Sequence, residues 1–136
     1  MYKKILVPMA LDHGISQHTL EIARALCAAD AQITALHVYE VPKGSVSTYI
    51  GEDTVRRGYE RANEILQEKV AGLGDVNAEI TRGQAHRAII EYAVSHDFDC
   101  IVIGSHKPGL TDYLIGSTAA RVVRHAPCAV HVHRDS

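Results

Sequence analysis

Five short apolar runs, separated by stretches with helical periodicity, constrain the fold of this 136-residue chain more than any other feature of its sequence. A run of about four to eight apolar and β-branched residues is typical of a buried strand, whereas apolar residues recurring every three or four positions are typical of an amphipathic helix. The predicted strands cover residues 5–9, 33–38, 76–81, 99–104 and 128–133.

Strands and helices therefore alternate along the whole chain, and the strands are apolar throughout rather than at every second position. Such strands are covered on both faces, which indicates a parallel sheet with helices on each side. Right-handed crossovers reach both faces only if the strand order reverses once. The predicted fold is α/β, a Rossmann-like doubly wound five-stranded parallel sheet in the order 3-2-1-4-5, with residues 1–136 forming a single domain.

Composition excludes several classes of function. The 14 basic and 16 acidic residues are mixed along the chain and give a net charge of −2, so no basic stripe suggests a nucleic-acid partner. The first apolar run is short and broken by Pro8, which argues against a signal peptide or membrane insertion and favours a cytoplasmic location. Cys27, Cys100 and Cys128 form no Cys-x-x-Cys pair, so we expect buried reduced thiols, with a catalytic thiol as the alternative.

The stretch "GSHKPGLTDYLIGST", residues 104–118, leaves the fourth predicted strand and opens the last helix on Gly-Ser-Thr. The first turn of a helix carries unpaired N–H groups and the positive end of the helix dipole, which together attract phosphate. In the predicted strand order, this stretch lies at the carboxyl edge where the order reverses, the usual ligand position. The alternative is that the glycines make turns and Ser117 caps the helix.

Four blocks carry a resemblance to a known family: "YKKILVPMALD", "ITALHVYEV", "RGQAHRAII" and "DCIVIGSHKPGLTDYLIGSTAARVVRHAPCAVHVHR". With them the chain resembles the universal stress proteins, and its last block is similar to the UspF/UspG-like branch. ATP-binding members usually show Gly-x2-Gly-x9-Gly-(Ser/Thr), which Gly104 and Gly116 match at the outer positions. Lys107 replaces the middle glycine, the loop is one residue shorter, and Ala10 stands where such members often carry an aspartate.

The resemblance implies a bound adenine nucleotide, namely ATP with ADP or AMP as alternatives, together with Mg²⁺. It implies that the strand-one end and backbone groups of strand two hold adenine, that the segment after strand three borders the adenosine, and that the 104–118 stretch holds ribose and phosphates. Asp12 either takes over a ribose or Mg²⁺ contact or caps the first helix. The binding residues so predicted are Pro8, Met9, Ala10, Asp12, Val38, Gly83, Gln84, Gly104, His106, Lys107, Gly109, Gly116, Ser117 and Thr118.

The sequence favours binding over catalysis. No pair of carboxylates is spaced for acid–base work and no nucleophile elbow is present, so no catalytic or metal-ligating residue is predicted. We expect a regulatory nucleotide-binding module in the stress response with slow or no hydrolysis. The alternatives are a weak ATPase or autophosphorylating enzyme that uses Ser117 or Thr118, and a nucleotide-free dimeric scaffold favoured by the departures at Ala10 and Lys107.

Partners are implied by the same resemblance. They are a second copy of the chain, paired through Ala129–His133 as a homodimer with a tetramer possible, and a regulatory protein of unknown identity. His131 and His133 share one face of that strand, so four imidazoles across the interface are either a metal- or pH-sensitive cluster or separate histidines. His37 and His86 are expected to bond backbone groups, and the polar segment 41–58, long for a loop, is expected to be either mobile or a partial lid over the site.

Overall fold

The computed structural model describes residues 1–11, 14–40, 51–105 and 115–134, and within these ranges strands and helices alternate as predicted. The strands are β1 (Tyr2–Pro8), β2 (Cys27–Tyr39), β3 (Val76–Arg82), β4 (Cys100–Gly104) and β5 (Ala129–His133). The helices are α1 (Gln17–Leu26), α2 (Glu52–Val70), α3 (Ala85–Ser95) and α4 (Ser117–His125).

The five strands form one sheet in the order β3-β2-β1-β4-β5, and every pair is parallel. This confirms the predicted order and fold class. The order reverses between β1 and β4, so the loops that follow these two strands leave toward opposite faces of the sheet and open a crevice at its carboxyl edge.

Both faces of the sheet are buried, because alternate residues of each strand contribute to separate cores. Ile5 and Val7 of β1 face α1 and α2, whereas Leu6 faces α3 and α4. All three side chains are at most 1% exposed, which is why the strand is apolar at consecutive positions.

The first helix begins with a serine cap. The Ser16 hydroxyl accepts a hydrogen bond from the Thr19 backbone N–H at 3.1 Å, which satisfies one of the unpaired donors of the first turn. The alternative in which Asp12 caps this helix is therefore wrong, and Asp12 itself lies outside the described residues.

The prediction of a loop over 41–58 is wrong for its last part. Helix α2 begins at Glu52 and so includes residues 52–58, while residues 41–50 lie outside the described ranges. Glu52 and Asp53 complement the helix dipole at its N-terminus, and Val55 is buried. Because the first turns are otherwise exposed and polar, their helical periodicity is weak in the sequence.

Strand boundaries differ from the predicted ones mainly at the amino ends. β1 starts at Tyr2 and β2 at Cys27, where Tyr2 and Cys27 are partners before a register shift. Asp30 adopts a positive φ of 63° within that irregular stretch. The exposed polar residues Asp30 and Gln32 at this end of β2 obscure the strand pattern in the sequence. None of the described helices is long and apolar enough to span a bilayer.

Candidate functional site

A cavity of about 330 Å³ opens at the carboxyl ends of β1, β2 and β4, beside the first residues of α3 and α4. Its volume is at the lower end of the range typical of small-molecule sites, roughly 300–1,000 Å³. The cavity is lined by Pro8, Met9, Ala10, Leu36, His37, Val38, Glu40, Ala85, Ile89, Ile103, Gly104 and Thr118.

The structure brings together six of the predicted binding residues in the wall of this cavity, namely Pro8, Met9, Ala10, Val38, Gly104 and Thr118. Four others lie at the starts of the two helices that line it: Gly83 and Gln84 come before Ala85, the first residue of α3, and Gly116 and Ser117, the N-cap and first residue of α4, come before Thr118. The remaining predictions, Asp12, His106, Lys107 and Gly109, fall outside the described residues.

Backbone groups of Val38 are directed toward the space beyond the end of β1. The Leu36 carbonyl accepts a hydrogen bond from Met9 N at 2.9 Å on the β1 side, and the Tyr39 carbonyl accepts one from Gly83 N at 3.2 Å on the β3 side. Because successive residues of a strand present their backbone groups to opposite neighbours, Val38 points the same way as Leu36. Its N–H and C=O therefore face the side of the cavity, where they can read the edge of a planar ligand.

His37 fixes the floor of the cavity. Its Nδ1 donates a hydrogen bond to the Met9 carbonyl at 3.1 Å, which assigns the proton to Nδ1 in the neutral ring. This confirms the expectation that His37 bonds a backbone group. The contact holds the turn after β1 against β2 and leaves the adjoining wall apolar.

The N-terminus of α4 has no side-chain cap. Gly116 is the N-cap residue with φ −60° and ψ 153°, and Ser117 is the first helical residue, so the alternative in which Ser117 caps the helix is wrong. A Cβ at Gly116 would lie 3.7 Å from the Ser105 carbonyl oxygen, and Ser105 N in turn donates to the His133 carbonyl at 2.9 Å. The exit of β4 is thereby held close to the uncapped amides of α4.

The N-terminus of α3 is arranged differently. The backbone N–H of Ala85 donates a hydrogen bond to Glu40 Oε1 at 2.9 Å. Glu40 was not among the predicted site residues. It is 45 positions from Ala85 in the chain, so the sequence does not show that the two residues are close in space. An acidic residue directly after a strand end was the one available signal.

The other cavity residues that sequence reasoning missed are Leu36, His37, Ala85, Ile89 and Ile103. Three of them were assigned to the apolar core, and the hydrophobic runs that predict a strand or a helix do not show which members reach its end. Had it been known which strand residues share a face of the sheet, the apolar residues Leu36 and Ile103 could have been assigned to this cavity.

Basic groups of α3 and α4 lie close to His86, which follows the cavity residue Ala85 in the first turn of α3. Burial lowers the pKa of His86, and the charges of Arg121 and Arg87 lower it further. His125 acts in the same direction, whereas Glu40 partly offsets the effect. These groups make the surroundings of His86 positive, while the Glu40 carboxylate acts against them at the first amide of α3.

A larger groove, of about 730 Å³, lies near the amino halves of β1 and β2 and the carboxyl ends of α2 and α3. Its side chains interact with one another: Lys4 Nζ donates to the His96 carbonyl and lies 4.6 Å from the Phe98 ring centre, and Tyr92 stacks on His96. Ligands of open parallel sheets bind at the carboxyl ends of the strands, so the smaller cavity is the better candidate despite its size.

The two histidines of β5 have different environments. His131 is exposed, whereas His133 is only 5% exposed and packs edge to face against His18 of α1, with ring centres 4.6 Å apart. Within the described ranges, no group of three or more histidine, cysteine or acidic side chains could hold a metal ion.

Comparison with known proteins gives a consistent family match. The family model described as the universal stress protein family matches residues 1–134. A universal stress protein of Methanothermobacter thermautotrophicus is 31% identical over 144 residues, covering 98% of this chain and 97% of the relative. Universal stress protein G of Salmonella typhimurium is 32% identical over 143 residues, covering 98% and 100%.

Solved structures of similar proteins share the fold. Universal stress protein UspA of Lactobacillus plantarum has a TM-score of 0.74 at 25% identity, with 98% of each chain covered. An Arabidopsis thaliana member with AMP bound has a TM-score of 0.61 at 18% identity, covering 98% and 92%. A universal stress protein in complex with cAMP has a TM-score of 0.58 at 21% identity, covering 99% of each chain.

Proposed function

This chain belongs to the universal stress protein family, and from that membership we propose that it binds an adenine nucleotide in the 330 Å³ cavity. The nucleotide is ATP, with ADP or AMP as alternatives, and Mg²⁺ accompanies it. The observation that carries the proposal is the uncapped N-terminus of α4 at the rim of a largely apolar cavity on the carboxyl edge of the sheet.

The cavity offers each part of a nucleotide a matching surface. Apolar side chains such as Pro8, Met9 and Ile103 suit the faces of a planar base, and the backbone of Val38 suits its polar edge. The unpaired amides of the first turn of α4, with the hydroxyl of Thr118, suit phosphate oxygens. Each such dipole contact is modest, about 0.3–1 kcal/mol, so affinity depends on several donors that converge on one ligand.

Two fold neighbours support the same ligand class. Both AMP, bound to the Arabidopsis protein, and cAMP, bound to the other, are adenine nucleotides. They share an adenosine part and differ in the phosphate part, so the adenosine part is the feature we carry over to this chain. The preference for ATP and the participation of Mg²⁺ belong to the proposal.

The proposed role is regulatory, with slow or no hydrolysis. Among the described cavity residues Glu40 is the one carboxylate, and its Oε1 is bonded to the Ala85 amide rather than placed to activate water. An autophosphorylating enzyme is the second candidate, favoured by the hydroxyls of Ser117 and Thr118 at the start of α4.

We include in the proposal a homodimer through β5, a tetramer built from it, a regulatory protein partner and a cytoplasmic location. The two sheet edges support the dimer. At the β3 edge, the Tyr59 hydroxyl and the Gln67 amide donate to the carbonyls of Ile80 and Ala78, which obstructs strand pairing. Along Ala129–Val132 of β5, no side chain of the described strands and helices donates a hydrogen bond to an edge carbonyl. The β5 edge is therefore the one suited to a second copy.

Isothermal titration of the apo-protein with ATP, ADP, AMP and GTP, each with and without Mg²⁺, tests nucleotide binding. We expect binding heat for the adenine nucleotides and at least tenfold weaker binding of GTP, an estimate based on base-edge recognition. Absence of heat with every nucleotide would overturn the proposal and favour the scaffold alternative.

Ser117→Glu tests the phosphate position, because it puts a carboxylate at the first residue of α4. A carboxylate at a helix N-terminus is favourable, so the melting temperature should stay equal or rise while ATP binding is lost and adenosine binding is kept. Gln17→Glu is the matched control, since Gln17 is the first residue of α1, which also lacks an acidic first turn. Unchanged ATP affinity in Ser117→Glu would exclude α4 as the phosphate site.

A further inference from the structure

Two helices begin at the cavity, and they differ in how their first amides are used. Ala85 of α3 and Thr118 of α4 both line the cavity, and neither helix has an acidic residue in its own first turn. The first amide of α3 is nevertheless bonded to the carboxylate of Glu40 at 2.9 Å, whereas no side chain of the described residues bonds the first amides of α4.

This difference makes the cavity electrostatically asymmetric. The Glu40 carboxylate neutralises the positive end of the α3 dipole, so a second anion brought to that position would face a like charge. Among the described residues, no carboxylate is bonded at the start of α4 to oppose an anion. A ligand with one anionic end therefore has only one favourable orientation in the cavity.

The carboxylate of Glu40 is also held in a defined place. It is bonded to the Ala85 amide, and its backbone follows Tyr39, whose carbonyl accepts a hydrogen bond from Gly83 N. A carboxylate can accept about four hydrogen bonds, and the Ala85 contact uses one lone pair of Oε1. The remaining acceptor capacity suits a neutral N–H or O–H donor of a ligand in the cavity.

We propose that Glu40 is a specificity-determining residue of the nucleotide site, which excludes phosphate from the N-terminus of α3 and accepts a hydrogen bond from a neutral donor of the nucleoside. The nucleotide then lies with its nucleoside half at Glu40 and its phosphates at α4. This inference rests on the proposed nucleotide binding. The donor is either a ribose hydroxyl or the exocyclic amine of the base, which share this chemistry.

The test combines changes in the ligand with changes in the protein. AMP is compared with 2′-deoxy-AMP, 3′-deoxy-AMP and purine riboside monophosphate, which lacks the exocyclic amine, by titration calorimetry. The wild type should bind at least one analogue about tenfold or more weakly than AMP, as expected for the loss of one hydrogen bond to a charged group. In Glu40→Ala the same analogue and AMP should bind within about twofold of each other.

A fourth analogue of AMP tests the exclusion of phosphate. Adenosine 3′,5′-bisphosphate carries an extra anion in its nucleoside half, so the wild type should bind it about tenfold or more weakly than AMP. Glu40→Gln should reduce this penalty, because the amide oxygen can still accept from Ala85 N while the charge is gone. Glu68→Gln, an exposed change on α2, is the control for net charge.

Each result decides the inference. The quantity compared is the affinity for AMP divided by the affinity for each of its four analogues. Ratios that are the same in wild type, Glu40→Ala and Glu40→Gln would overturn the inference. A wild type that binds all four analogues as tightly as AMP would also overturn it. If Glu40→Ala does not fold, Glu40→Gln, which preserves the cap of α3, provides both comparisons. Failure of the wild type to bind AMP at all is a different outcome, because it overturns nucleotide binding itself.

Discussion

Asp99 and Lys4 form two reciprocal hydrogen bonds. The Asp99 N–H donates to the Lys4 carbonyl at 3.1 Å, and Asp99 Oδ1 accepts from the Lys4 N–H at 3.0 Å. The second carboxylate oxygen accepts from Lys3 N at 2.9 Å. These bonds join β1 to the entry of β4, the two strands between which the order of the sheet reverses, so they support the crevice at the opposite edge.

Replacement of Asp99 by asparagine should destabilise the protein in a pH-dependent way. Burial alone would raise the pKa of Asp99, but hydrogen bonds from the Lys3 and Lys4 amides outweigh it and hold the pKa below its ordinary value of 3.8. The charged form therefore stabilises the fold above pH 3.8, and this contribution is lost as the pH falls through the native pKa. At pH 7 we expect Asp99→Asn to lower the unfolding free energy by about 1–3 kcal/mol.

Urea denaturation of both proteins at neutral and at strongly acidic pH measures this effect. The difference between wild type and Asp99→Asn should shrink as the pH falls. Asp97→Asn is the matched control, since Asp97 is exposed and has φ 58°, a conformation that asparagine tolerates. A difference that stays constant with pH would show that the carboxylate charge is not what stabilises the contact.

Gly83 should be required for stability whether or not a nucleotide is bound. Its φ is 139°, a Cβ there would lie 3.4 Å from Ala88 Cβ, and its N–H donates to the Tyr39 carbonyl. Gly83→Ala should therefore lower the unfolding free energy of the apo-protein by about 1–3 kcal/mol. Gly72→Ala, where a Cβ meets nothing within 4 Å, should leave the thermal midpoint nearly unchanged. Equal thermal midpoints for the two variants would show that Gly83 is not required for stability, and contact with the ligand would then be its remaining role.

The strand order was predictable because its causes are local and repeated. Continuous apolar strands such as Ile101–Ile103 report burial on both faces, and the alternation with helices then leaves few right-handed arrangements. The location of the site followed from the same argument, since the carboxyl edge at the reversal of strand order is where loops separate. Pro8, Met9 and Gly104 line the cavity at that edge, and their role in binding stays a prediction.

Contacts that depend on distant parts of the chain were not predictable in the same way. Apart from its position directly after a strand end, nothing in the sequence near Glu40 indicates that its carboxylate reaches the first amide of α3, because the two groups meet only once the β3 crossover is formed. The start of α2 at Glu52 was also missed, since exposed helical turns carry polar residues on most faces. In both cases tertiary packing, and not the local sequence pattern, determines where the contact or the helix boundary lies.

Cys100 should be nearly inert to alkylation in the folded protein. It is 1% exposed, and burial, assisted by the neighbouring Cys128, raises the pKa of its thiol from 9.0 to about 11. At pH 8 the reactive thiolate is thus reduced by about 100-fold relative to an ordinary cysteine, before the lack of access is considered. Iodoacetamide labelling followed by peptide mass spectrometry should find Cys100 slowest and the half-buried Cys27 and Cys128 faster. Rapid labelling of Cys100 would revive the alternative of a catalytic thiol.

Gly104 should be dispensable for folding but necessary for nucleotide affinity. It ends β4 in the wall of the cavity, and a Cβ built there meets no atom of the described residues within 4 Å. Gly104→Ala should therefore leave the thermal midpoint unchanged or slightly higher, because alanine reduces the entropy of the unfolded chain. If the ribose lies against this backbone, the added methyl should weaken ATP binding by about tenfold or more in calorimetric titration. Gly74→Ala also adds a methyl in open space but away from the cavity, so it should bind ATP like the wild type. Equal affinities of the two variants would mean that the nucleotide does not approach Gly104, and the ribose would then have to lie nearer to β2.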